Sequence, residues 1–162
     1  MGVKCTNTQQ ELDKMFLGIA NIIREEILRT LQYLGEQCNK RIRDRSKEES
    51  WIDRTGNLRS SIGYAVFAHG KREMESAFKV VMEGKEGTET GRQYVRELAT
   101  EYAKVYALVV VAGMSYAEYV EAIESKDVLA STELWARAKI EDYMKRTQER
   151  AEKRINKFLA AA

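Results

Sequence analysis

The chain of 162 residues contains no proline, a single histidine and two cysteines. The absence of proline excludes proline-rich linkers and favours long uninterrupted helices. With His69 alone, metal sites that require a pair of histidines are excluded, as is a relay between two histidines. Cys5 and Cys38 lack the spacing of metal or redox motifs, so we expect free thiols in a reducing compartment.

Long hydrophobic runs are also missing. No stretch approaches the ~18 apolar residues that a membrane span needs, and the N-terminus has no signal-peptide core. The formal net charge of +2 gives no strong general attraction to nucleic acid or membranes. We therefore expect a cytosolic protein without a membrane partner.

Catalytic motifs are absent as well. The sequence has no Gly-x-Ser-x-Gly nucleophile motif, and neither cysteine has a nearby base. We predict no enzyme, no cofactor and no metal site. An enzyme of unrecognised type would need a pocket holding Glu118 or Glu121 beside a second titratable group.

Two long helices are the clearest features that are present. Thr8 and Glu11 have the spacing of a capping box, and an apolar stripe of helical period follows as far as Ser46. A helix over 8–46 would be roughly 58 Å long, so part of it should protrude or pack on a neighbour. A second helix is predicted over 131–160, capped by Ser131 or Thr132.

The segment between the helices predicts a small, mostly antiparallel sheet of three to four strands. Alternation over 62–68 and again over about 75–82 indicates a hairpin, with His69-Gly70-Lys71 as its connection. The run from Val105 to Val111 predicts a further strand with both faces at least half covered. Ser115 and Glu118 have capping-box spacing for a short helix, which makes 105–122 the expected centre of the fold.

Between the hairpin and that strand, a glycine-rich stretch over 84–91 predicts a mobile loop, followed by a helix over about 91–104. A phosphate-binding loop is disfavoured because the stretch lacks Gly-Lys-Ser/Thr and contains glutamates. The chain is thus predicted as one α+β domain over 1–162, with the first helix at 8–46, a sheet-containing core at 55–130 and the C-terminal helix at 131–160.

One large apolar side chain, Trp51, lies in the polar stretch 46–56. We interpret it as an exposed docking residue or as a lid over the core. Trp51 and Tyr119 are the candidate interface residues.

Basic residues concentrate in two places, the C-terminal helix and a short run after the first apolar stripe: Lys40, Arg41, Arg43, Arg45 and Lys47. Such patches can follow a nucleic-acid backbone electrostatically without sequence preference. A non-specific nucleic-acid-binding or regulatory module is therefore the alternative function.

Two segments resemble a known family. The first is Thr55-Gly56-Asn57-Leu58-Arg59-Ser60-Ser61-Ile62, which is similar to a Thr-Gly-x-Leu-x-x-Ser-Ile segment in tail-completion proteins of long-tailed bacteriophages. The second is Tyr116-Ala117-Glu118-Tyr119-Val120-Glu121, which is similar to a later Tyr-Ala-x-x-Val-Glu segment of the same proteins. Members of this family are also described as minor tail, neck or head–tail joining proteins. The matching positions are Thr55, Gly56, Leu58, Ser61, Ile62, Tyr116, Ala117, Val120 and Glu121. The order of predicted elements is also similar over 8–140.

The sequence departs from the family at two points. Ala122-Ile123 follows Glu121 where the family commonly has Phe-Gly-Thr, and the usual proline-containing stretch before the last helix is missing. These differences concern the loop after Glu121 more than the fold.

The resemblance implies a non-enzymatic virion subunit, assembled in the bacterial host cytoplasm. Such subunits form cyclic homo-oligomers, often six-fold, between head and tail. Double-stranded DNA passes through the lumen without sequence-specific binding, and the other partners are phage connector, neck and tail proteins. It also implies that the two segments fold against each other, with Tyr116, Tyr119 and Glu121 at the junction between strand and helix.

Overall fold

The computed structural model describes residues 8–46, 48, 50–123 and 126–161, in which helices surround a small sheet. In chain order, the elements are α1 (Gln9–Arg43), α2 (Asn57–Ser60), β1 (Ile62–Ala68), β2 (Lys71–Glu75), α3 (Lys85–Glu97), a 3-10 helix (Leu98–Tyr102), β3 (Tyr106–Ala112), α4 (Ala117–Ala122) and α5 (Ala130–Ala160). The predicted α+β class is confirmed, with three antiparallel strands and a long helix at each end. Cys5 and Lys47 lie outside the described residues.

The first helix begins at the predicted capping box. The Glu11 amide donates to the Thr8 hydroxyl at 3.3 Å, and the Thr8 amide donates to the Glu11 carboxylate at 2.7 Å. Both backbone N–H groups would otherwise lack a partner at the helix start. The local sequence therefore determines where α1 begins.

The N-terminal half of α1 extends beyond the sheet and packs on α5. Glu26 is the first buried residue of α1, whereas Phe16 and Leu17 are 67% and 63% exposed. At Gly18 the helices approach so closely that a Cβ atom would lie 2.4 Å from the Phe158 ring. The predicted excess length of α1 is thus partly covered within the same chain, by α5.

The sheet has the order β2-β1-β3, so the central strand is β1. All seven residues of β1 are buried, because α1 covers the face of Tyr64 and Val66 while α3 and Phe78 cover the face of Ala65 and Phe67. β3 lies at an edge and is mostly half-buried. The prediction that residues 105–122 form the centre of the fold is therefore wrong.

The hairpin is confirmed as antiparallel, but its second strand is Lys71–Glu75 and not 75–82. His69 and Gly70 both have positive φ angles, 51° and 79°, as in the two-residue turns that suit a twisted hairpin. Pairing therefore starts immediately after the turn. Phe78 and Met82 also have positive φ angles, 44° and 51°, which are incompatible with the predicted extended strand.

The predicted glycine-rich loop is in fact the first half of α3. A Cβ atom on Gly87 would lie 2.0 Å from the Asn57 carbonyl oxygen, and one on Gly91 would lie 2.5 Å from the Ser61 carbonyl oxygen. These glycines let α3 pack directly against the backbone of α2 and the start of β1. The predicted helix start at residue 91 is wrong for the same reason.

Candidate functional site

The two segments of the resemblance meet in one hydrophobic cluster. Leu58 and Ile62 are buried in it, and Ala117 and Val120 pack against it. Ser61 is also buried and donates its hydroxyl to the Leu58 carbonyl oxygen at 2.8 Å. Three further buried residues complete the cluster: Ile42, Trp51 and Val128. The structure thus brings the segments together, as the sequence predicted, and we call this set the motif cluster.

Thr55 and Gly56 shape the turn that leads into α2. Gly56 has φ of +79°, and a Cβ atom there would lie 2.1 Å from the Val81 carbonyl oxygen. The Asn57 amide donates to the Thr55 hydroxyl at 3.3 Å. Glycine is therefore required at position 56 for both backbone conformation and space.

Trp51 belongs to the motif cluster and is only 5% exposed. The prediction of an exposed docking residue is wrong, and the alternative of a lid over the core is correct. Its polar neighbours in sequence concealed this, because the loop folds back over Ile42 and Leu58. Trp51 is consequently removed from the candidate interface.

Arg59 is a central residue of the site that the sequence did not reveal. Its guanidinium lies 4.6 Å from the Trp51 ring centroid and pairs with the Asp53 carboxylate at 2.6 Å. It also donates to the Arg43 carbonyl oxygen and the Ser50 hydroxyl. Arg59 therefore links α2 to the end of α1 and to the loop between them.

Glu121 caps the start of α5. Its carboxylate accepts hydrogen bonds from the amides of Leu129 and Ala130, at 2.9 and 2.6 Å. The next amide, that of Ser131, donates to the Asp127 carboxylate at 3.2 Å. Two carboxylates at a helix N-terminus satisfy unpaired amides and complement the helix dipole.

The predicted cap of α5 by Ser131 or Thr132 is wrong, because α5 begins at Ala130 and both residues lie within its first turn. Their hydroxyls accept hydrogen bonds from Arg45, at 3.0 and 2.9 Å. Arg45 also pairs with Asp127 at 2.8 Å. Burial alone raises the pKa of Asp127, but hydrogen bonds from Ser131 and the charge of Arg45 outweigh it, so the pKa lies below its ordinary value.

The short helix α4 begins differently from the prediction. Tyr116 is its N-cap residue, and no side chain caps it, so the capping box of Ser115 with Glu118 is absent. Tyr119 is 70% exposed and does not hold the junction between strand and helix. Its place in an interface stays a prediction.

Tyr116 is 40% exposed at the edge of the motif cluster. Partial burial, followed by the negative charges of Glu86 and Asp53, raises the pKa of its hydroxyl. A tyrosine hydroxyl is already protonated at neutral pH, and this shift moves its ionisation further from that range.

Two residues of the basic run after the apolar stripe, Arg43 and Arg45, form contacts within the fold. Arg43 donates to the carbonyl oxygens of Ile62 and Lys79, and Arg45 pairs with Asp127. Burial, followed by the nearby charge of Arg59, lowers the pKa of Arg43. Two of the run remain on the surface of α1, namely Lys40 and Arg41.

The outer edge of β3 is an unpaired backbone surface. Gly113 donates to the Ser61 carbonyl oxygen and His69 to that of Val105, so odd-numbered residues of this strand face β1. The even-numbered residues therefore direct their N–H and C=O groups away from β1: Tyr106, Leu108, Val110 and Ala112. Among the described residues, none of these four backbones has a hydrogen-bond partner on that side.

The opposite edge of the sheet is protected. Four of the five residues of β2 are charged, and a register shift lies between Val66 and Phe67 of its partner strand. Charges and bulges are devices that block pairing of edge strands. β3 has neither device: residues 105–114 contain no charged side chain, and the pairing of β3 with β1 has no register shift.

Metal-binding side chains are not grouped in the described part of the chain. Within it, no group of three or more His, Cys, Asp or Glu side chains is arranged to hold a metal ion. His69 is a turn residue, as predicted, and its ring contacts Tyr106. Burial raises the pKa of the Cys38 thiol to about 11.

Over the described residues, no helix combines the length and apolar character that crossing a bilayer requires. Comparison of the chain with protein-family models, with curated proteins and with solved structures gives no match.

Proposed function

We propose that the chain is a structural, non-enzymatic subunit of the bacteriophage head–tail connection, in a tail-completion or neck ring. The observation that carries this proposal is the motif cluster. The two segments that resemble the family are separated by more than fifty residues, yet Leu58 and Ile62 share a core with Ala117 and Val120. A pair of motifs that acts as one structural unit requires such a contact.

The unpaired edge of β3 supports self-association. A long, uncharged edge strand is a template for pairing with another chain. The edges of the sheet differ, since β2 is charged and β3 is apolar. If β3 contacts a different surface of the next copy, the interface is heterologous and the copies can close into a ring. Pairing of β3 with β3 of a second copy would instead give a dimer that does not grow further.

In this proposal the partners are copies of the same chain, other connector, neck and tail proteins, and double-stranded DNA in the lumen. The location is the virion, after assembly in the bacterial host cytoplasm. Exposed apolar side chains near the motif cluster, such as Ile52, Met82 and Tyr119, are candidate contacts to neighbouring subunits.

The test is sedimentation velocity with native mass spectrometry over a wide range of protein concentration. We expect a closed oligomer larger than a dimer. Ala112→Pro removes one outward-facing N–H at the end of β3 and should shift the population towards monomer. Ala112→Ser retains that N–H and should assemble like the unmodified chain.

A monomer at the highest concentration would contradict the proposal, and so would a dimer that does not grow further. Equal assembly of the Pro and Ser variants would exclude the edge of β3 as the contact.

A further inference from the structure

The seam between α1 and α5 contains a cluster of cations and aromatic rings. A cleft of about 270 Å³ between the helices is lined by three arginines, two tyrosines and one threonine: Arg29, Arg146, Arg150, Tyr33, Tyr143 and Thr30. No carboxylate lines this cleft. Arg150 is balanced by the Glu26 carboxylate beneath the cleft, so the excess positive charge comes from Arg29 and Arg146, and it favours an anionic ligand.

The base of the cleft is rigidly built. Arg150 donates to the buried Glu26 carboxylate at 2.8 Å and to the Thr30 hydroxyl at 2.7 Å. The Thr30 and Thr147 hydroxyls lie 2.5 Å apart. Arg150 is thus fixed in orientation by groups on both helices.

The two other arginines are uncommitted. Neither Arg29 nor Arg146 forms an ion pair or a hydrogen bond within the described ranges of the chain. Both are exposed at the rim of the cleft. A guanidinium presents several donors in a planar fork, which matches the oxygens of a phosphate.

Aromatic rings lie beside these cations. Tyr33 and Tyr143 pack edge to face, with centroids 5.7 Å apart, and Tyr33 is 54% exposed. Stacking of bases on exposed aromatic rings beside a positive groove is how proteins bind single-stranded nucleic acid without sequence preference.

The pattern continues along the same seam. Arg41 lies 5.6 Å from the Trp135 ring centroid, beside a second hollow that Lys40 also lines. Tyr33 and Arg41 are eight residues apart on α1, which corresponds to about 12 Å. This second hollow also contains one carboxylate, that of Asp44.

The other side of the helix pair differs. The hollow there is lined by Ile23, Ile27, Met144 and Ile155 together with Glu141 and Glu152. That hollow therefore combines apolar and acidic side chains with one cation, Lys145, and no aromatic ring lines it. Asp142 precedes Arg146 by one helical turn but does not line the cleft.

We propose that this seam is a binding site for the sugar–phosphate backbone of nucleic acid, in which Arg29, Arg146 and Arg150 hold a phosphate and Tyr33 stacks on a base. The connector role requires only that DNA pass through the ring, so a binding site for nucleic acid on the subunit is a separate property. This site depends on α1 and α5 alone and not on the edge of β3. The expected preference is for single strands, because duplex bases are already stacked.

The test is fluorescence anisotropy with a labelled single-stranded 20-mer and a duplex of the same sequence, over a series of salt concentrations. We expect tighter binding of the single strand and a linear fall of log K with log salt. Arg29→Gln with Arg146→Gln should weaken binding at low salt about 10-fold or more. The magnitude of the slope of log K against log salt should fall by up to about 0.7, because the arginines share one phosphate and one lost phosphate contact contributes about 0.7 for single strands.

Lys85→Gln with Lys145→Gln is the matched control, because it removes two exposed cations outside the seam. It should leave affinity nearly unchanged. Tyr33→Leu should weaken binding of the single strand more than binding of the duplex. Circular dichroism establishes that each variant is folded.

Three results would overturn the proposal. One is the absence of binding at low salt. Another is an equal loss of nucleic-acid affinity in the Arg29/Arg146 variant and in the Lys85/Lys145 control, which indicates non-specific electrostatic attraction. The third is calorimetric binding of inorganic phosphate without binding of either nucleic acid, which identifies a site for small oxyanions. Each outcome is independent of the oligomeric state.

Discussion

Glu26 of α1 and Arg150 of α5 form an ion pair of 2.8 Å, although the Glu26 side chain is only 2% exposed. Arg154 contacts the other oxygen of the same carboxylate at 3.0 Å. The hydrogen bond from Arg150, reinforced by Arg154, holds the pKa of Glu26 below its ordinary value despite burial. This network sets the alignment of the two long helices.

Glu26→Gln should destabilise the fold by about 1.5–3 kcal/mol, because it weakens hydrogen bonds between charged groups at a buried position. Glu25→Gln is the control, since its exposed pair with Arg154 contributes at most about 1 kcal/mol. Urea denaturation at pH 7 measures both. Equal losses in the two variants would contradict the structural role of Glu26.

The contribution of Glu26 should also depend on pH. Its folded-state pKa is lowered, so the stabilisation is present above the unfolded value of about 4.3 and is lost as pH falls through the folded pKa. The stability difference between the unmodified chain and Glu26→Gln should therefore shrink between pH 6 and pH 3. A difference that is constant over this range would exclude the charge as its source.

Trp51→Ala should lower the free energy of unfolding by about 3–5 kcal/mol, because it leaves a cavity in the motif cluster and removes the ring that Arg59 packs on. The neighbouring Ile52→Ala should cost no more than about 0.5 kcal/mol, since Ile52 is 75% exposed. Thermal and urea denaturation compare the two. A small loss for Trp51→Ala would return this residue to the candidate interface.

Gly87→Ala should destabilise the fold by about 1–3 kcal/mol or more, since the new methyl group would meet the Asn57 carbonyl oxygen. In a helix free of such a contact, the same substitution stabilises by about 0.5–1 kcal/mol. The sign of the change therefore tests the packing of α3 on α2. Glu89→Ala, at an exposed position of α3, is the control and should change stability little.

Glu121→Gln should lower the free energy of unfolding by about 0.5–2 kcal/mol, because a neutral side chain caps α5 less well than a carboxylate does. Glu118→Gln should be nearly neutral, since Glu118 is exposed on α4. Hydrogen exchange at the first turn of α5 localises the effect. Unchanged exchange there in Glu121→Gln would show that Glu121 is not the cap.

The sequence predicts those features that depend on local spacing. The capping box at Thr8 and the apolar period of α1 are contained in neighbouring residues, so the helix start is predicted to within one residue. The segment from Thr55 to Ile62 likewise feeds a strand, as expected. In these stretches the short-range pattern alone selects the structure.

The errors concern contacts between distant segments. Gly84, Gly87 and Gly91 suggest a loop by composition, yet their spacing of three and four residues places them on one face of a helix. That spacing is the signal of a close approach to α2. No comparable signal exists for Arg59, whose four partners come from the end of α1 and the following loop.

Hydrogen–deuterium exchange resolved to single amides in β3 tests the assembly through its outer edge most directly. The amides of Tyr106, Leu108, Val110 and Ala112 should exchange rapidly at low protein concentration and become protected as concentration rises. Those of Ala107, Val109 and Val111, which face β1, should be protected throughout. Rapid exchange of the outward-facing amides at every concentration would contradict the account.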